Sequence, residues 1–313
     1  MPQNIRLKSL VLFSVILVLF IFLFVDGEVQ HKHRLIKDIW DAGHLVFFSL
    51  ISFGYFDFTK KHPSSAVFQI ILTTIFCLFA GSLIESLQLL VDRDFSFNDI
   101  LNNLIGGYLG LLFFNLRQPQ QAFRKRLTHT ILFLILLVVG SRNFTIDLID
   151  EFFLQNDFPV LASFETSFEK TRWDYQLSHS TFSKKHSKQG QHSMQVEFLP
   201  GQYPGIHLEH FINDWSAYHS LSFSLYNPNK DTFAFVVKVY DQKHIENGYP
   251  YIDRFNKVIK FKPGWNHITI SLNEIRMAPN QRKMDMKKIK DFSFFTTNLQ
   301  HPVTMYFDHL FLH

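Results

Sequence analysis

The sequence is poor in the features that mark familiar soluble enzymes. A single cysteine, Cys77, rules out a disulfide framework. No Walker A loop, GxSxG elbow, CxxC pair, HExxH or dinucleotide fingerprint occurs, and no internal repeat or low-complexity tract is found. Charged residues are 19% of the chain against 47% hydrophobic and 16% aromatic, which excludes a disordered chain. A mean hydropathy of only +0.02 excludes a permease that is apolar throughout. Two unlike halves that cancel account for such a mean, and 313 residues is room for about two domains.

What is there begins with hydrocarbon. Residues 7–25 are almost uninterrupted apolar, close to the ~20 residues that a helix needs to cross a bilayer core. Arg6 and Lys8 at its start also suit a signal peptide, but the run is longer than an h-region and no small-x-small site follows, so it reads as an uncleaved anchor. Further apolar segments at 39–58, 66–90, 99–116 and 127–140 bring the expectation to about five spans. Arg6, Lys8, Lys60, Lys61, Arg117, Arg124, Lys125 and Arg126 fall on one side of these spans, and Lys32, Arg34, Lys37 and Arg93 on the other. The excess of positive charge puts the first set in the cytoplasm and everything after Gly140 outside, which in a two-membrane bacterium is the periplasm. The net charge of +4 is then partly an orientation signal, and no nucleic-acid partner is expected.

Residues 142–160 mix acids with Leu, Ile and Phe, as a juxtamembrane helix does. Beyond them the pattern changes to short alternating stretches at 193–199, 220–226, 234–240, 257–261, 267–272, 291–296 and 303–312. Turn pairs such as Pro204-Gly205, Asn247-Gly248 and Pro263-Gly264 separate them. The expected fold class is therefore an all-α transmembrane bundle (1–141), a linker (142–160) and an all-β jelly-roll sandwich (161–313).

Polar residues within the apolar half are spaced to share helix faces. Asp41 and His44 are three apart, Ser82, Glu85 and Gln88 follow at steps of three, and Asp99, Asn103, Gly106 and Gly110 at offsets of four, seven and eleven. Gly106 and Gly110 form a small-xxx-small surface. With the strings DAGH (41–44), ESLQ (85–88) and RDFSFNDILNNLIGGYLG (93–110), this half resembles the VanZ-like membrane family, named for a protein associated with resistance to a glycopeptide antibiotic. One departure is Ala42, where that family often has Lys. The resemblance implies an envelope role and no particular reaction. The set His44, Glu85 and Asp99, with Asp41, Gln88, Arg93 and Asn103, reads either as a packing network or as a catalytic site for a lipid-linked or antibiotic headgroup, with His44 or Glu85 as general acid or base. Metal ligation by His44, Glu85 and Asp99 is a further variant.

The second half resembles carbohydrate-binding, galactose-binding-like jelly rolls through Phe164-Glu165, Trp173, GQHS (190–193), YPGI (203–206), DWSAYHSLSFSLYNP (214–228), YIDRFN (251–256), PGWNHITISL (263–272) and YFDHLFL (306–312). The resemblance implies a structural calcium held by Glu165 and Asp308, oxygen donors of the kind a hard cation takes. Asp241, His244, Tyr249, Tyr251, Asp253 and Arg254 combine aromatic platforms with hydrogen-bonding groups and are the expected glycan contacts, although Asp253 and Arg254 also read as a structural pair. Trp215 and Trp265 adjoin strand patterns and read as core, and the basic run 282–290 reads as a solvated face. The expected protein is an inner-membrane envelope protein in contact with the lipid bilayer, whose outer domain binds a glycan or cell-wall polymer. A membrane enzyme acting on a lipid-linked intermediate and a protein-recruiting scaffold are the alternatives.

Overall fold

In the computed structural model, which describes residues 2–24, 34–59, 65–91, 96–119 and 121–313, the apolar runs of the first half are helical. They form α1 (Pro2–Phe22), α2 (Arg34–Thr59), α3 (Ala66–Gln88), α4 (Phe97–Leu116), α5 (Phe123–Gly140) and α6 (Arg142–Asp157). Serines start two of them. The Ser65 hydroxyl accepts from Phe68 N at 3.2 Å, and the Ser96 hydroxyl accepts from Asp99 N at 3.2 Å, satisfying N–H groups that the first helical turn leaves open. Two compact units divide the chain, Met1–Leu148 and Ile149–His313.

Glycine sets the packing of the first unit. A Cβ on Gly106 would lie 2.3 Å from Leu45 O, and one on Gly110 would lie 2.2 Å from Ser49 O, so α4 meets the α2 backbone directly. A Cβ on Gly107 would lie 2.3 Å from Cys77 Sγ of α3. Side chains distribute inside out: Ile75, Phe79, Leu83, Leu134 and Val138 are exposed, while His44, Glu85, Gln88, Asp99 and Asn103 are buried. The expectation of about five spans is not met. Among the described residues two helices, Arg34–Thr59 and Ala66–Gln88, are long and apolar enough to cross a membrane, or three if α5 and α6, bent by 52°, count as one. In α1 the apolar helix is the short stretch Phe13–Phe22. α4, which carries Asp99 and four asparagines among its 20 residues, is not among the candidate spans.

The second unit is an antiparallel β-sandwich. Its strands are β1 (Val160–Ala162), β2 (Trp173–Gln176), β3 (Ser178–Ser183), β4 (Ser193–Phe198), β5 (Gly205–Leu208), β6 (Ser220–Asn227), β7 (Phe233–Asp241), β8 (Phe255–Phe261), β9 (Gly264–Ser271), β10 (Ile289–Phe295) and β11 (Val303–Leu312). Short helices α7 (Gln242–Glu246) and α8 (Leu272–Arg276) follow β7 and β9. One sheet runs β3-β4-β11-β6-β9 with β1 on β11, and the other runs β2-β5-β10-β7-β8. From β4 to β7 the chain changes sheet at every strand, as in a jelly roll. Phenylalanines fill the space between the sheets: Phe294 stacks on Phe235 with ring centres 4.5 Å apart and meets Phe307 edge-on at 4.5 Å.

The β unit begins within α6. Asp150 is buried and receives Arg172 Nε at 2.9 Å and Nη2 at 2.8 Å, while Arg172 Nη1 donates to Leu161 O at 2.9 Å. Removing one partner of such a pair leaves an uncompensated buried charge, at a cost of roughly 3–5 kcal/mol. A fragment starting at Ile149 is therefore expected to unfold cooperatively in urea, and one starting at Phe158 to lose about that much stability; equal stability would show the pair to be idle.

Candidate functional site

Strand alternation turns Phe235, Val237 and Val239 of β7 into the core and leaves Lys238 and Tyr240 on the outer face of the five-stranded sheet. Register then assembles a polar row across all five strands: Asp174 opposite His207, His207 opposite Ser293, Ser293 opposite Lys238, and Lys238 opposite Asn256. Asp291 lies beside the row, opposite Tyr240. His207 Nδ1 donates to the Ser293 hydroxyl at 2.8 Å, and that hydroxyl donates on to Asp291. Lys238 Nζ stands 3.2 Å from Asp291 and 5.1 Å from the centre of the Tyr240 ring. Burial opposes charge on Asp291, but His207, Lys238 and Ser293 outweigh it and hold the carboxyl below its usual range, so it is ionised. Aromatic surface adjoins this charge. Tyr249, 57% exposed, meets Tyr240 edge-on at 6.3 Å, and Tyr251, 69% exposed, carries the Arg254 guanidinium 5.0 Å from its centre.

Of the expected glycan contacts, Tyr249, Tyr251 and Arg254 reach the surface, whereas Asp241, His244 and Asp253 lie behind it. Asp241 accepts Arg282 Nη1 at 2.6 Å, Arg282 Nη2 at 2.7 Å and Asp285 N at 2.6 Å, and also caps α7 through His244 N at 3.2 Å. Asp253 accepts Arg282 Nε at 2.6 Å and Nη2 at 2.8 Å. Its partner is thus Arg282 and not Arg254, and the run 282–290 is no simple solvated face, because its first residue clamps two carboxylates. His244 is fully buried, its ring packed 4.7 Å from Tyr240 and 5.5 Å from Tyr249. Burial, reinforced by Arg254, lowers the His244 pKa and keeps the ring neutral. Asp241, His244, Asp253 and Arg282 are the frame on which the tyrosines stand. His207, Lys238, Tyr240, Asp291 and Ser293 were outside the expected set; for the last four the signal was the period of two within strands already legible, whereas His207 lies on β5, a strand too short to show one. Trp215 is fully buried, while Trp265 is half-buried on the outer side of the other sheet, 5.3 Å from Tyr226.

The pair expected to hold calcium also has defined surroundings. Asp308, buried on β11, accepts backbone N–H groups from Lys188 and Gln189 with Oδ2, while Oδ1 has no hydrogen-bond partner. Burial, with Glu165 nearby, pushes its carboxyl above the usual range. Glu165 Oε1 accepts Gln191 N and His192 N, each at 2.9 Å, from the same loop. An orphaned buried carboxylate oxygen beside a second carboxylate fits a hard cation.

In the first unit α2, α3 and α4 bring His44, Glu85 and Asp99 together, with one ligand-type atom from each within 4.8 Å of the others. His44 Nδ1 donates to Asn103 Oδ1 at 3.0 Å, and Gln88 Nε2 lies 3.5 Å from His44 Nε2. Asp41 does not join them; it lines a separate cavity of about 230 Å³ with Asp38, Asn98, Asn102 and Asn143. Arg93 lies outside the described residues.

Comparison with protein-family models finds no match, and neither does comparison with curated proteins. Solved structures similar to about half of the chain include an exo-beta-agarase at 15% identity and TM-score 0.41, with 49% of this chain and 24% of that one covered. A family 11 carbohydrate-binding module from Clostridium thermocellum, in complex with a beta-1,3-1,4-mixed-linked tetrasaccharide, matches at 17% identity and TM-score 0.37, covering 49% of this chain and 93% of that one. A family 22 xylan-binding domain matches at 11% identity and TM-score 0.33, covering 49% and 91%. The chain thus spans about a quarter of the agarase's length.

The Arg282 clamp makes the β unit acid-sensitive. Because Asp241 and Asp253 are held below their ordinary value, their contribution is complete above about pH 4 and is lost as the pH falls through the lowered folded values. In Arg282→Gln the two carboxylates lose their cation and their folded pKa values rise, so the melting midpoint, lower at pH 7, is expected to climb as the pH is brought toward about 5. A variant whose midpoint follows the wild-type pH curve would remove the clamp from this account.

Proposed function

We propose that the β unit is a glycan-binding module whose ligand lies across the outer face of the five-stranded sheet. The observation that carries this reading is the juxtaposition of exposed Tyr249 and Tyr251 with the polar row of His207, Lys238 and Asp291. A sugar ring offers an apolar C–H face and a rim of hydroxyls. The tyrosine rings suit the first, and the partly exposed Lys238 ammonium and His207 imidazole, held in place by the buried, ionised Asp291, suit the second.

In the same reading the helical unit anchors the module in a bacterial inner membrane, N-terminus in the cytoplasm and β unit in the periplasm. Its exposed apolar helix faces, buried polar interior and VanZ-like pattern of Glu85, Asp99, Asn103, Gly106 and Gly110 support this. Glu165 and Asp308 would hold a structural calcium whose charge neutralises the buried Asp308 carboxylate. A second reading, action on a lipid-linked headgroup by the helical unit, is favoured by the convergence of His44, Glu85 and Asp99.

Isothermal titration of fragment 149–313 against β-glucans, xylan, agar oligosaccharides and peptidoglycan fragments tests the first reading. At least one class should bind, and Tyr249→Ala and Lys238→Ala should each weaken it about tenfold, or ~1.4 kcal/mol, with an unchanged melting midpoint for Tyr249→Ala and a lowered one for Lys238→Ala, which takes the ammonium from the buried Asp291. No binding across the panel would sink the proposal. Calcium is expected to raise the midpoint of the wild-type fragment and to leave that of Asp308→Asn unmoved, and an equal response from both would remove Asp308 as a ligand.

A further inference from the structure

We propose that His44, Glu85 and Asp99 bind a divalent transition-metal ion, zinc or manganese, within the helical unit. The three side chains are 0%, 1% and 3% exposed and come from α2, α3 and α4. Their nearest donor atoms lie within 4.8 Å of one another, with His44 Nε2 3.8 Å from Asp99 Oδ2. Ligands of a bound zinc ion at about 2.0–2.2 Å stand somewhat closer than this, a contraction within reach of side-chain rotation. One imidazole nitrogen with carboxylate oxygens is a donor set that suits zinc or manganese.

The surroundings are built as those of a metal ligand are. Asn103 Oδ1 accepts from His44 Nδ1 at 3.0 Å, which turns Nε2 toward Asp99 and toward the Gln88 amide nitrogen, 3.5 Å away, which a bound ion would displace from it. Asn103 can stand there because residue 81 is glycine: a Cβ on Gly81 would lie 2.5 Å from Asn103 Nδ2. Ser96 N donates to Glu85 Oε2 at 2.9 Å, and the Ser96 hydroxyl accepts from Asp99 N at 3.2 Å, so one residue orients both acids. Three protein ligands leave coordination positions open for water or a ligand oxygen. This inference stands independently of the glycan reading, since it uses no residue of the β unit.

The test uses the full chain in detergent, stripped with EDTA and reloaded with zinc or manganese alone, read by elemental analysis and thermal unfolding. About one equivalent of metal and a raised midpoint are expected for the wild type, and at least tenfold weaker retention for Glu85→Gln and Asp99→Asn. A wild type that retains neither metal, or variants that retain it equally, would overturn the site; neutralisation of the pair by a protein cation gives that same result. If the variants do not fold, the manganese-loaded wild type decides by electron paramagnetic resonance. Nitrogen coupling from one histidine is expected, and its absence overturns the proposal.

Discussion

Carboxylates gathered in a protein interior repel one another and lose their hydration, so they persist only where a cation or converging donors compensate them. In the β unit that constraint falls on Asp241 and Asp253, at the two ends of the segment joining β7 to β8, and Arg282 answers it by bonding to both. Much else follows from this bridge. With both ends of the segment fixed, α7 is capped, His244 is pressed beneath Tyr240 and Tyr249, and the exposed tyrosines are held beside the ionised Asp291. The surface offered to a ligand is shaped by charges that the ligand never meets.

The helical unit obeys the same constraint by other means. Its polar groups turn inward and its apolar ones outward, and glycine makes this compatible with close packing. Gly106 and Gly110 bring α4 onto the backbone of α2 near His44, and Gly81 gives the Asn103 amide its place on that histidine. These glycines decide which polar groups can touch.

Much of the architecture was legible because local chemistry announces it. Apolar runs gave the helices, and alternation bounded by Gly and Pro pairs gave β4 and β6 to β11 to within three residues at each end. The short strands β1, β2, β3 and β5 passed unseen, since three to six residues without strong alternation carry little periodic signal and draw their order from neighbours. At the sites, spacing on single helices identified His44, Glu85, Asp99 and Asn103, because their faces were fixed by the helical period. It misplaced Asp41, which lines a separate cavity and whose backbone carbonyl accepts from Asn102. In the β unit the loop residues were conspicuous, but Asp241 and Asp253 bond to an arginine 41 and 29 positions away, a pairing that only the fold reveals. Lys238 was hidden for the opposite reason, as an unremarked member of an alternating strand, and His207 was hidden with the short strand β5 that carries it.

The polar row on the five-stranded sheet draws one residue from each strand, from Asp174 through His207, Lys238 and Asn256 to Ser293. No hairpin or partly folded segment carries more than a fragment of it. Whatever docks there recognises the completed sheet and nothing less. Its binding energy therefore adds in full to the cooperativity of the fold, and a chain proteolysed or mispaired at any one of five strands is silent to that ligand.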